Sequence, residues 1–143
     1  MAKVIAVNIS SQKGVPKETI EEGNFIENFG LEGDAHAGNW HRQVSLLGSE
    51  SIEKVKILGV EGLGYGSFAE NITTEGLNLW EIPIGTRLKI GETIQEITQI
   101  GKECHTKCAI YHQVGECVMP KEGIFTRVIR GGKVRAGDLI EKA

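Results

Sequence analysis

At 143 residues, with hydrophobic residues at 40% and charged residues at 24%, the chain has the length and balance of one water-soluble globular domain spanning 1–143. Such a chain buries roughly two-thirds of its unfolded surface and folds without needing disulfides or a metal. A formal charge of −3 excludes a general nucleic-acid binder, and no apolar run reaches the length of a membrane span.

The N-terminus, MAKVIAVNISSQKG, lacks the apolar core and cleavage site of a signal peptide. Three cysteines, an odd number, then point to a reducing, cytoplasmic setting and to thiol or metal chemistry rather than a disulfide framework. Lys3–Ser10 is rich in β-branched residues and predicts a first strand; Gly14–Glu22 reads as a turn around Pro16. Gly30–Asp34 is a glycine-rich bend, and Arg42–Leu47 a buried strand. Ser49–Leu58 is the clearest helix, with Ser49 as N-cap, Glu50 and Glu53 early, Lys54 and Lys56 late, and Gly59 as its stop. Its apolar residues Ile52, Val55 and Leu58 share one side.

Glu61–Phe68 is a glycine loop, followed by a strand over Ala69–Thr74 that ends at Gly76. From Pro83 to Ile100 the chain reads as strand, turn at Gly91-Glu92, strand, a hairpin signal. Ile124–Arg130 is another strand, with a turn at Gly131-Gly132 and two short strands after it. Nineteen glycines, against about 10 expected from average usage, fit many tight turns in a barrel of short strands. The fold expected is mostly β, a closed or partly open β-barrel with one to three short helices.

Gln99–Pro120, QIGKECHTKCAIYHQVGECVMP, concentrates the chemistry. It holds Cys104, Cys108 and Cys117 together with His105 and His112. Cys104 stands at a predicted strand-to-helix transition, where unpaired N–H groups and the macrodipole favour a thiolate. Lys102, His105 and Lys107 add positive charge. His105 or His112 is a candidate proton donor, since histidine titrates near neutrality.

Several pieces occur in one order: Gly33-Asp34-Ala35-His36, Arg42–Leu46, Gly66–Leu77, Ile84-Gly85, Ile90-Gly91, Gln99, Cys104, Phe125–Val128 and Gly137-Asp138. Above all FAENITTEGL, ahead of one cysteine at this offset, resembles the MOSC domain, the module at the C-terminus of molybdenum cofactor sulfurases and in small stand-alone bacterial proteins. The resemblance implies a strand-rich barrel-like fold, a bound molybdenum cofactor (molybdopterin) or precursor, and a sulfurtransferase-like role. Cys104 would carry a persulfide or ligate molybdenum. It implies a cysteine desulfurase and a molybdoenzyme as partners; pyridoxal phosphate would then sit only on a separate protein.

For the pterin and its phosphate, Arg42 and Arg127 are the phosphate candidates, because a guanidinium grips oxyanions through parallel bonds. Gln43, Asn71 and Thr73 are candidates for reading ring edges, and His36 for lining the pocket beside His41. Asp34 and Asp138, each following a glycine, read as turn hydrogen bonds. Cys108, at i+4 from Cys104, has three readings: a resolving thiol, a ligand with Cys104 and Cys117 of zinc or an iron–sulfur centre, or simple packing. The competing functional classes are a non-catalytic metal-binding or sensing module and a molybdenum-dependent oxidoreductase.

Overall fold

The structure, a computed structural model, describes residues 2–12, 15–57, 64–101 and 122–143. Among these residues eleven strands and one α-helix occur in chain order: β1 Lys3–Ile9, β2 Glu18–Ile20, β3 Glu22–Ile26, β4 Gly30–Leu31, β5 Val44–Gly48, α1 Ser49–Ile57, β6 Ile72–Glu75, β7 Arg87–Ile90, β8 Thr93–Ile100, β9 Ile124–Arg130, β10 Gly132–Arg135 and β11 Ile140–Lys142. A 3-10 turn, Leu79–Glu81, lies between β6 and β7.

Eight strands form one sheet in the order β11-β7-β8-β9-β5-β6-β1-β2, and β10-β3-β4 form a second. The large sheet is open, with β11 and β2 at its edges. It curls until the start of β1 meets the segment before β11, where Lys3 bridges Leu139 and Val4 N–H donates to Asp138 O at 2.8 Å. That contact is not a continuous ladder, so the architecture is a partly open, mostly β fold rather than a closed barrel.

Local chemistry accounts for most of these elements. In β7 the apolar residues Leu88 and Ile90 are buried and the cationic Arg87 and Lys89 between them are exposed. β8 keeps the same period of two, burying Thr93, Gln95 and Ile97, and Gly91 takes the positive φ (57°) that the tight turn between the strands needs. β5 is buried at every position: Val44 and Leu46 point into the core, and Ser45, between them in the alternation, is covered by the loop that carries Ala69 and Asn71. Ser51, Ile52 and Val55 are the buried residues of α1. This helix carries the chain from β5 to β6, which pair in parallel as that crossover requires.

Phe25, Leu31 and Val134 of the small sheet pack against Val4, Val7, Leu46, Ile72, Leu88, Ile97, Ile124 and Val128 of the large one in a single core. Of the small sheet, β10 matches the short strand read after Gly131-Gly132, but β3 and β4 were not anticipated: 22–26 carries only Phe25 as a fully buried apolar anchor, too weak an alternation to announce a strand. Among the described residues no helix is long and apolar enough to cross a membrane.

The β8–β9 ladder slips between Ile97 and Gln99, leaving Thr98 as the extra residue of a bulge. Thr98 Oγ1 donates to Phe125 O at 3.1 Å and also to His41 O. Gln99 is thereby turned toward the loop that precedes β5.

A cationic and aromatic cleft beside the end of strand β8

The loop 64–71 is wound around a carboxylate. Glu70 is fully buried and accepts from Gly66 N–H at 3.0 Å, Phe68 N–H at 3.2 Å and Thr73 Oγ1–H at 2.7 Å. Burial raises its pKa, and these donors offset that only in part. The winding puts Ala69 in the left-handed region at φ 63°, a conformation that costs a side-chain-bearing residue about 1 kcal/mol. Ala69 O is held there by Ser45 Oγ at 3.2 Å.

Asn71 stitches this loop to β5. Its Oδ1 accepts from Ser45 N–H at 3.1 Å and Ser45 Oγ at 3.2 Å, while its Nδ2 donates to Asn8 O at 3.3 Å. Asn8, also fully buried, donates through Nδ2 to Glu70 O and Thr73 Oγ1, both at 3.1 Å, and accepts from Thr19 Oγ1 at 2.7 Å. Ser45, Phe68 and Ala69 are therefore rigidly presented on one side of a cleft.

His36, Trp40, Arg42 and Phe125 complete its lining, and the cleft has a volume of about 80 Å³. Arg42 stands over the Phe125 ring, its guanidinium carbon 5.3 Å from the ring centroid, and its Nε donates to Gln99 Oε1 at 3.0 Å. Gln99 Oε1 lies at 3.0 Å from His41 Nε2 as well, and Gln99 Nε2 donates to Gly101 O at 2.7 Å. Trp40 Nε1 donates to His36 O at 2.8 Å, which fixes the indole at the rim.

Behind His36 lies a buried ion pair. Lys17 Nζ and Asp34 Oδ1 are 2.7 Å apart, with both side chains at 0% exposure. Asp34 Oδ1 also accepts from Ser10 N–H, and Oδ2 from His36 N–H, each at 3.1 Å. Burial pushes the Asp34 carboxyl up, but the Lys17 and Ser10 hydrogen bonds and the Lys17 charge outweigh it and hold the group below its ordinary value. Lys17 is itself anchored by its backbone N–H, which donates to Gly66 O at 2.9 Å.

Gly66 has φ 87°, and a Cβ there would sit 2.2 Å from Lys17 O. Gly66→Ala is therefore expected to cost about 2 kcal/mol or more, through both the left-handed backbone and the collision. Urea denaturation of the two proteins measures it; a loss under about 0.5 kcal/mol would show that the two loops are not locked here.

The candidates from sequence separate in space. His36 and Arg42 line the cleft, with His41 on the other side of Gln99. Asn71 and Thr73 are buried behind the wall, in the network that shapes it. Gln43 is buried elsewhere: its Nε2 donates to Asn28 Oδ1 at 3.0 Å and its Oε1 accepts from Val128 N–H at 2.9 Å. Arg127 is not brought to Arg42; its Nε donates to Glu96 at 3.0 Å on the exposed face.

Asp138 makes the turn bond read for it, accepting from Arg135 N–H at 2.9 Å, whereas Asp34 makes such a bond and the buried ion pair besides. Cys104, His105, Cys108, His112 and Cys117 lie outside the described residues. Among the described residues no cluster of three or more His, Cys, Asp or Glu is disposed to hold a metal. Lys17 and Glu70 were missed from sequence. Glu70 had a signal, an acid framed by Phe68 and Ile72; Lys17, in a polar turn after Pro16, had none.

The arrangement defines a small, open-sheeted β domain with a cleft of cationic and aromatic character. The chain belongs to the MOSC domain family, whose model matches residues 32–141; the family is associated with the molybdenum cofactor. In fold it is similar to the YuaD protein of Bacillus subtilis, at 18% identity and a TM-score of 0.80, covering 98% of this chain and 94% of that one. It is similar also to YiiM of Geobacillus stearothermophilus, at 18% identity and a TM-score of 0.77, over 100% of this chain and 75% of that one. YiiM of Escherichia coli gives 21% identity and a TM-score of 0.72, over 100% of this chain and 70% of that one. No curated protein matches the chain significantly.

Proposed function

We propose that this domain binds the molybdenum cofactor, or a precursor of it, at the cleft lined by His36, Arg42 and Phe125, and that Cys104 carries sulfur to the bound group or ligates its metal. The observation that carries this reading is the position of the cleft at the end of β8. Gly101 N–H donates to Gly123 O at 2.6 Å, so the chain leaves β8 and re-enters β9 at neighbouring points, beside Gln99, Arg42 and Phe125. Cys104 is three residues beyond Gly101, a span of at most about 11 Å.

The donor set fits an anionic, planar ligand. Among the described residues only Gln99 accepts a hydrogen bond from Arg42, and it engages Nε, so the guanidinium can offer its other N–H groups to a phosphate. Phe125, Phe68 and Trp40 offer aromatic surface for a ring. A volume of about 80 Å³ is below the roughly 300 Å³ of a typical whole-ligand pocket, so these residues would hold one end of the cofactor. When bound, the cofactor supplies a molybdenum centre with a replaceable terminal sulfur. The chain's contribution is to orient it and to deliver the sulfur. The Cys104 thiolate would attack the sulfane sulfur of a donor persulfide, whose own thiolate leaves as the new persulfide forms.

Protein purified without oxygen should contain molybdenum by elemental analysis and show pterin absorbance. Arg42→Ala should retain less than about a tenth of both, as expected when a charge-assisted bidentate contact is lost. Zinc or iron in place of molybdenum, held equally by the Arg42→Ala protein, would overturn the proposal in favour of a metal-binding module built on Cys104, Cys108 and Cys117.

A further inference from the structure

Gln99 occupies a place that the alternation of its own strand would not give it. β8 buries Thr93, Gln95 and Ile97 at a period of two, and an uninterrupted strand would turn residue 99 to that same inner face. The extra residue Thr98 breaks the period, and Gln99 stands half-buried beside His41 and Arg42 instead. A bulge re-aims a side chain in this way, and the one re-aimed here meets the cation of the cleft.

Its amide has one permissible orientation. Arg42 Nε can only donate, so the Gln99 atom 3.0 Å from it is the oxygen. Gly101 O can only accept, so the atom 2.7 Å from it is the amide nitrogen. Turning the amide over would set donor against donor and acceptor against acceptor at once. His41 Nε2, 3.0 Å from the same oxygen, meets its second lone pair as a donor. The consequence falls on Arg42. A guanidinium grips an oxyanion through a pair of N–H groups, either Nε with one Nη or the two Nη together. Gln99 takes Nε, and Phe125 lies against one face of the group, its ring centroid 5.3 Å from the guanidinium carbon. No other acceptor among the described residues engages Arg42, so the far edge, with both Nη groups, is the one left for a ligand.

We propose that Gln99 is a positioning residue: by taking Arg42 Nε it holds the guanidinium over Phe125 and leaves the two Nη groups to grip an oxyanion end-on. This rests on the reading of the cleft as the cofactor site and names the part of the ligand that enters it, a terminal phosphate approaching along the axis of the Arg42 side chain. Gln99 itself does not touch the ligand. Through Gly101 O it also ties the grip to the end of β8, three residues before Cys104, so the anion is held at a set place relative to the point where the chain leaves the sheet.

Nitrogen-15 spectra of the full chain read the guanidinium directly, with the Arg42 side-chain signals assigned by their disappearance in Arg42→Lys and inorganic phosphate as the probe. In the wild type, Nε–H should exchange slowly with water, and added phosphate should move the Nη signals while Nε–H stays in place. Gln99→Met, of similar shape but without the amide, should free Nε–H to exchange about fivefold faster or more. It should also bind phosphate about three- to tenfold more weakly, because a long side chain then has to be ordered on binding. Gln99→Glu separates positioning from packing: its carboxylate keeps an acceptor for Nε but cancels the charge, so phosphate should bind at least about tenfold more weakly than to wild type. A side chain that only filled space would leave phosphate binding unchanged in both variants. Equal exchange of Nε–H in wild type and Gln99→Met, displacement of Gln99 from Nε by phosphate, or undiminished binding by Gln99→Met would overturn the proposal while leaving the cofactor reading in place. If a variant fails to fold, the wild-type titration decides, since a phosphate that moves Nε–H overturns the end-on grip. A wild type with a slow Nε–H and no response of Arg42 to phosphate would overturn the cofactor reading, and the grip with it.

Discussion

Lys17→Met is expected to be the most damaging single substitution in the described part of the chain. Both members of the Lys17–Asp34 pair are fully buried, so removing the ammonium strands a carboxylate in the interior, a loss of about 3–5 kcal/mol. That is a large share of the roughly 5–15 kcal/mol by which a domain of this size is stable. The pH dependence has a definite sign. In the wild type Asp34 titrates below its ordinary value of 3.8, so its contribution is complete above 3.8 and is lost as the pH falls through the lowered value. In Lys17→Met the stranded carboxyl escapes the penalty by taking up a proton. The deficit relative to wild type should therefore be greatest at neutral pH and shrink steadily toward acid. Urea unfolding at a series of pH values measures this; a deficit under about 1 kcal/mol at pH 7, or one that does not vary with pH, would mean that the pair is not the anchor its burial implies.

Cys104→Ala is expected to abolish sulfur loading. After incubation with a persulfide donor, intact-mass measurement of the wild type should show one added sulfur atom, and peptide mapping should put it on Cys104. The Ala variant should gain none there. Cys108→Ala should load normally and fail only in release, if its thiol resolves the persulfide by exchange. Equal loading of the Cys104→Ala protein would exclude the carrier role, and loading of Cys108 or Cys117 in its place would move that role along the segment.

Where the sequence was legible, the reason is periodicity. The hairpin over β7 and β8 and the strand β9 were read almost to the residue because runs rich in β-branched residues are set off by glycines that can only be turns. The helix α1 was read from its acidic start, its basic finish and its buried stripe; the described part bears out Ile52 and Val55, and Leu58 and Gly59 lie outside it. β2, β3 and β4 were not read. They are short, β3 contains Gly23 and β4 contains Gly30, and their pairing is fixed by contacts distant in sequence, such as Val134 against Gly23 and Val7 against Ile20.

The cleft divides along the same line. His36 and Arg42 stood out as exposed chemistry in recognisable local patterns, and both line it. Gln43, Asn71 and Thr73 look the same in sequence whether they face a ligand or are buried; the structure has Asn71 and Thr73 in the network behind the cleft wall and Gln43 buried elsewhere, against Asn28 and Val128. Lys17 escaped notice because a lysine in a polar turn is ordinarily solvated; only the folding of that turn across Gly66 removes it from water.

The single bond from Gly101 to the carbonyl of Gly123 carries an implication for how such domains diversify. Because the two strands meet there, Gly101 and Gly123 offer whatever joins them a pair of anchor points already brought together. The entropy of closing a loop grows only slowly with its length. Nature or an engineer could thus graft a different connector between these strands, with other thiols or none, and inherit the scaffold and the Arg42 platform unchanged. In such a design the connector would vary while the sheet and its cleft stay as they are.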